Sequence, residues 1–252
     1  MYKKAFTLAE VLITIGIIGI VAAIMIPNMV LRYREREYIS QLKKIYSALT
    51  NTYQRTLVEY GETYNWGLEA ANSSEGANRI NEMLTQNLRI LKNCRTEGGC
   101  WRNTELKYLD NTSSGLNISS NNSYSTVFVE GGLLLAFRVL DPSCNYAIGV
   151  GEGYGHVCAE AVVDVNGEKN PNAYGFDVHT FYITRHGIVP AGYNEDNTTT
   201  FANHCENRNK GTGCTAWVLQ FSNMDYLHCS GLSWDGKNQC KSIFNYDYNY
   251  NL

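Results

Sequence analysis

Apolar and polar residues alternate differently in three parts of this chain. Residues 8–26 are almost wholly apolar, preceded by Lys3 and Lys4 and followed by a charged run over 30–37. Nineteen such residues are enough for a helix to cross a bilayer core of roughly 30 Å. The run is too long for an ordinary cleaved signal core, and no small-x-small site follows it. Next come Tyr38, Leu42, Ile45, Leu49, Tyr53, Leu57 and Tyr60, spaced by three and four. That spacing predicts an amphipathic helix with one apolar stripe, and Gly61 is a natural stop. A helix over 6–60 would be about 80 Å long at 1.5 Å per residue. Pro27 leaves two arrangements open, one continuous helix or two helices broken there.

Residues 61–76 are polar and contain Gly, and read as a linker. A second helix is expected over 77–92, with Ile80, Met83, Leu84, Leu88 and Leu91 on one face and Ser73 or Ser74 as cap. The Asn- and Ser-rich stretch 103–124 reads as a surface loop. Strand patterns come after it. Residues 126–129 and 133–140 flank Glu130-Gly131-Gly132, a hairpin signal. Further strands are expected at 146–150, 158–165, 179–184 and 188–189, and a last one at 217–221, where Trp217 reads as core together with Tyr226. Helices first and strands afterwards predict an α+β fold, with an antiparallel sheet packed on the long helix.

Composition adds a compartment. Eight cysteines all lie beyond the apolar run, and the net charge is −3 with mixed signs. An even count without CxxC spacing and with few His favours disulfides over zinc, even at the adjacent His204 and Cys205. Disulfides imply an oxidising space. Sequence leaves their connectivity open; Cys94–Cys100, Cys144–Cys158, Cys205–Cys214 and Cys229–Cys240 is the simplest set. Nothing in the charge balance suggests nucleic acid as a partner.

Flanking charges do not orient the span, because Arg32, Arg34 and Arg36 oppose Lys3 and Lys4. Inside it, Glu10 is a carboxylate within an apolar helix, costing roughly 2.5–3.5 kcal/mol in lipid unless it has a partner or sits at the headgroups. Pro27 permits local unwinding, and Gly16 and Gly19 permit close helix approach.

Residues 3–15, Lys-Lys-Ala-Phe-Thr-Leu-Ala-Glu-Val-Leu-Ile-Thr-Ile, running on apolar to Pro27, resemble the prepilin leader and methylation motif. Type IV pilins and the pseudopilins of type II secretion share this motif. The resemblance covers about thirty residues. It implies a pilin-like fold: a long N-terminal helix, membrane-spanning in its first half, on a disulfide-stapled sheet. Residues 1–5 would be the leader, 6–60 the helix with a span at about 8–27, and 61–252 an exported head. A prepilin peptidase would cut between Ala5 and Phe6 and methylate the new Phe6 amine; Ala5 stands where the family usually has Gly. Glu10 would pair with that amine in a neighbouring subunit, since a buried carboxylate and ammonium are each costly alone. The implied partners are further copies, other pilin-like subunits, the peptidase, an inner-membrane platform protein and membrane lipid. The implied location is the bacterial inner membrane, single-pass with the head outside the cytoplasm, and then a fibre.

Other chemistry is sparse. Asp164, Asn166 and Asp177 among Gly167 and Gly175 offer oxygens for a calcium loop, although Asn-Gly is also a strong plain turn signal. The five His are scattered, and no hydrolase, metalloprotease or phosphate-loop motif occurs. The expected function is therefore a non-enzymatic fibre subunit. The alternatives are a minor tip subunit whose Cys-rich head binds a surface, DNA or an exported protein, and a membrane-anchored exported hydrolase.

Overall fold

The computed structural model describes residues 7–151, 153–193, 196–237 and 240. One helix, α1, runs from Leu8 to Tyr60 with Pro27 inside it. It passes through the division between two compact units, one ending at Glu37 and the other beginning at Tyr38. In the first unit, Leu12, Ile13, Ile17, Ile18, Ile20 and Ile24 each expose more than half of their surface. This helix is long and apolar enough to cross a membrane.

The second unit is built on the stripe read from the sequence. Tyr38, Leu42, Ile45, Leu49 and Tyr53 are buried. Burying each stabilises the unit by about 1.5–3 kcal/mol relative to exposure. The Gly61 N–H donates to the Leu57 carbonyl and closes the helix. The residues after Gly61 form an ordered connection rather than a polar linker. A 3-10 turn at Thr63–Asn65 leads to Trp66 and Leu68, both about 1 % exposed. The Tyr53 hydroxyl, 3.0 Å from the Thr63 hydroxyl, donates to the Thr184 carbonyl at 2.8 Å and ties α1 to this turn and to the sheet.

Helix α2 covers Ser74–Thr85, capped by Ser73, whose hydroxyl accepts from the Gly76 N–H. Ile80, Met83 and Leu84 are buried, but the helix stops seven residues short of the expected end at 92. Strand β1, Ile90–Arg95, replaces its last turns and leaves Leu91 exposed. Tertiary pairing with β2 overrides the helical spacing there.

Five more strands complete one antiparallel sheet in order β1 to β6: β2 Ser125–Val129, β3 Leu133–Val139, β4 Val157–Asp164, β5 Val178–Thr184 and β6 Ile188–Pro190. Gly131 and Gly132, both at positive φ, let β2 turn into β3. Phe137, Ala161 and Phe181 are successive cross-strand partners, and Phe181 stacks on Tyr46 of α1 at 5.4 Å. That face therefore lies under α1. On the opposite face Leu134, Ala136, Val162 and Val178 join Trp101, Tyr124 and Tyr174 in a second core. So 103–124 supplies core side chains rather than only a surface loop. Glu160 is nearly buried on this face, taking Arg138 at 2.9 Å and the Tyr124 hydroxyl at 2.5 Å.

Two expected strands are absent from their places. Residues 146–150 make only isolated bridges, Tyr146 with Val157 and Gly149 with Asp196. Residues 217–221 belong to helix α4, Thr215–Phe221, which follows the four-residue α3 at Phe201–His204. Trp217 is fully buried against Phe201 at 4.5 Å, and Tyr226 is also buried. The apolar run was too short for its periodicity to separate strand from helix.

The stripe gives a direct test. Leu49→Ala is expected to cost about 2–5 kcal/mol of unfolding free energy, and Val58→Ala under about 0.5 kcal/mol. Urea unfolding of the full chain in detergent, followed by Trp fluorescence, measures both. Equal effects would contradict the burial pattern.

Candidate functional site

Two places in the chain concentrate polar groups where apolar ones would be expected. The first is the start of α1. Thr7 is its N-cap, and Glu10 sits three residues on. The Glu10 Oε2 accepts from the Thr7 backbone N–H and from the Thr7 hydroxyl, both at 2.8 Å. In return the Glu10 N–H donates to the Thr7 hydroxyl at 3.3 Å. This is a capping box, in which two otherwise unpaired N–H groups are satisfied reciprocally. The Thr-x-x-Glu spacing announces it in the sequence, so Glu10 has a local role beside any intermolecular one. Glu10 is exposed, at the head of the exposed apolar surface, and Pro27 lies within the same helix. Ala5 and Phe6, the expected cleavage pair, lie outside the described residues.

The second place is the β4–β5 connection. Asp164 ends β4, Asp177 precedes β5, and both are fully buried. The Asp177 Oδ1 accepts from the Ala173 N–H at 2.7 Å; its Oδ2 accepts from the Asn172 N–H at 3.0 Å and from Asn166 Nδ2 at 2.9 Å. The Asp164 Oδ1 accepts from the Asn166 N–H at 3.0 Å. With the Asn172 amide turned to satisfy both its ends, its nitrogen donates to Asp164 Oδ2 at 3.0 Å. The structure thus brings Asp164, Asn166 and Asp177 together. Calcium takes six to eight oxygens, whereas the groups converging on these carboxylates are N–H donors. Among the described residues no cluster of three or more His, Cys, Asp or Glu is placed to hold a metal.

Asn166 Nδ2 also donates to the Tyr38 hydroxyl at 2.9 Å, and Phe176 meets Tyr38 edge-on at 5.6 Å. The loop is therefore anchored on the first buried residue of the α1 stripe. Burial pushes the Asp164 carboxyl well above the usual range, and the neighbouring Asp177 charge pushes it further. Burial pushes Asp177 up to about 6, against the pull of its N–H donors. Two residues on, His179 is buried with neither ring nitrogen hydrogen-bonded in normal geometry. Burial drives it down to about 4, opposed by the nearby Phe176 backbone. No partner motif in the sequence marks His179 out from the other four His.

Four disulfides staple the second unit: Cys94–Cys100, Cys144–Cys158, Cys205–Cys214 and Cys229–Cys240. His204 sits beside Cys205, whose sulfur is already committed.

Compared with known protein families, residues 1–26 match the prokaryotic N-terminal methylation motif, the hallmark of type IV pilins and pseudopilins. No curated protein and no solved structure matches the chain.

The titrating groups of the β4–β5 connection act in opposite directions. Folded His179 takes its proton near pH 4, while an unfolded His takes it near 6.5. Its contribution is present above pH 6.5 and is lost as pH falls toward 4. Asp177 and Asp164 titrate as one buried pair held above the 3.9 of an unfolded Asp, by burial and by each other's charge. The pair's contribution is present below pH 3.9 and is lost as pH rises through the raised range of the folded pair. Relative to the unaltered chain, His179→Gln is expected to gain stability on acidification from pH 6.5 to 4, and Asp177→Asn to lose it. Each difference should be at most about 3 kcal/mol. Thermal midpoints across this range check it; parallel curves would refute the assignment.

Proposed function

We propose that this chain is a structural subunit of a type IV pilus-like or type II secretion pseudopilus fibre. The observation that carries the reading is the methylation motif at 1–26, continuous with a helix that leaves its apolar side chains exposed. In this reading residues 1–5 are a leader removed by a prepilin peptidase, 6–60 form the assembly helix, and 61–252 form the exported head. The subunit waits in the inner membrane with lipid around residues 8–27. It then exchanges that lipid for the helices of other copies and of other pilin-like subunits. An apolar helix surface gains little from leaving lipid tails, so specificity must come from packing and from polar pairs. Glu10 supplies such a pair. Its carboxylate is expected to meet the Phe6 ammonium of a neighbour, each removing the other's burial cost.

The Asp164–Asn166–Asp177 cluster serves, on this reading, as a clamp that fixes the β4–β5 connection to α1. N–H donors there take the place that a cation would fill. A second reading, a rare subunit at the fibre tip, is favoured by the size of the disulfide-stapled head.

Two outcomes are expected. N-terminal sequencing of the mature protein should begin at N-methylated Phe6; a start at Met1 or beyond residue 26 would exclude the reading. Glu10→Gln keeps the capping box, because Gln serves in it as well as Glu, but removes the charge. This variant should insert in the membrane normally and fail to enter fibres, as measured by immunoblot of membrane and sheared surface fractions.

A further inference from the structure

Just beyond the apolar part of α1 stand Arg32, Arg34 and Arg36, with Glu35 and Glu37 among them. Three arginines on the head side of a span work against the charge rule that orients it, so their presence there has a cost. Glu35 is buried and so withdrawn from the helix surface. Arg34 and Arg36 are exposed, and among the described residues neither meets a carboxylate within ion-pair distance. Tyr33, next to Arg34, is 70 % exposed, and Met29 one turn earlier is 71 % exposed. Two unpaired guanidinium groups and an aromatic ring with a polar tip thus follow directly on the apolar surface.

Their height along the helix points to a ligand. Arg34 and Arg36 lie seven and nine residues past Pro27, about 11 and 14 Å along the axis. The headgroup layer reaches roughly 5–8 Å beyond the hydrocarbon core. Side chains on a helix tilt toward its N-terminus, which here is toward the membrane, so both long arginines lean back to headgroup level. Glu37 is higher and shorter and does not reach it. The two arginines are also about 200° apart around the axis. A single docked protein would meet one of them, whereas lipids surrounding a lone helix meet both.

We infer that Arg34 and Arg36 bind the phosphates of anionic phospholipids in the leaflet on the head side. Tyr33 sits among the same headgroups, as aromatic residues do at membrane interfaces. Together they fix the depth at which the subunit waits, and entry into the fibre requires these contacts to be given up. The inference rests on the fibre reading and adds the class of lipid that holds the subunit beforehand.

The test places the full chain in mixed phosphatidylcholine–phosphatidylglycerol vesicles carrying a spin-labelled trace of one lipid or the other. The share of each label immobilised at the protein surface gives the preference. The unaltered chain is expected to favour the phosphatidylglycerol label about fivefold more than the chain with Arg34→Gln and Arg36→Gln together. Lys3 and Lys4 are the same in both chains and cancel. Arg34→Lys with Arg36→Lys should keep the preference, because a lipid phosphate attracts either cation. Near 1 M salt, where the screening length is about 3 Å, the difference should vanish. An undiminished preference in the Gln chain, its loss in the Lys chain, or a difference that salt does not move would overturn the inference. Such a result leaves the Phe6 and Glu10→Gln outcomes untouched, so the fibre reading would stand without it. A chain that does not enter the vesicles at all would remove the membrane stage of that reading and the lipid contact with it.

Discussion

The head depends on one contact, the stripe that Tyr38, Leu42, Ile45, Leu49 and Tyr53 lay across the sheet. An antiparallel sheet with apolar side chains on both faces needs a cover on each. The helix supplies one, and the segment between β1 and β2 supplies the other through Trp101 and Tyr124. Polar contacts then set the position of the stripe. The Tyr53 hydroxyl reaches Thr184 at the end of β5, and the Tyr38 hydroxyl takes Asn166 from the β4–β5 connection. A buried hydroxyl left without these partners would cost about 1–3 kcal/mol, so they fix the sliding of α1 along the sheet as well as its burial.

The β4–β5 connection shows how buried charge is managed by backbone and amide N–H groups. Two carboxylates with no access to water should repel one another strongly. Backbone N–H groups of 166, 172 and 173 and two Asn amides surround them instead. Such a network is satisfied only in one loop conformation, which makes it a specifier of shape. His179, two residues beyond Asp177, is likewise kept neutral by burial.

Long periodic features were legible in the sequence. The α1 stripe was read over seven positions that no strand could present to one side; five of them are buried, Leu57 is half-buried and Tyr60 is exposed. The hairpin at 130–132 was equally legible, because two glycines in a row between apolar runs have few other uses. Short runs were not legible. Ile90 and Leu91 continue a helical pattern, yet pairing with β2 claims them for a strand. Residues 217–221 are apolar enough for either state, and the tight packing of Trp217 against Phe201 decides for helix. The capping box at Thr7 and Glu10 was written in the sequence but was overshadowed by the burial cost of Glu10. Asp164, Asn166 and Asp177 could be named, but which backbone N–H groups would meet them depended on turns that no pattern encodes.

The disulfides carry a consequence for how the chain can be made. Their partners are separated by 6, 14, 9 and 11 residues, and no pair encloses or interleaves with another. A chain that enters an oxidising space from its N-terminal side presents each cysteine's partner before the next pair emerges. Eight cysteines mixed freely allow 105 pairings, but progressive entry offers one choice at a time. Correct oxidation can therefore be settled by order of arrival, with no later reshuffling. The sheet has the same property, since every strand pairs with its neighbour in sequence.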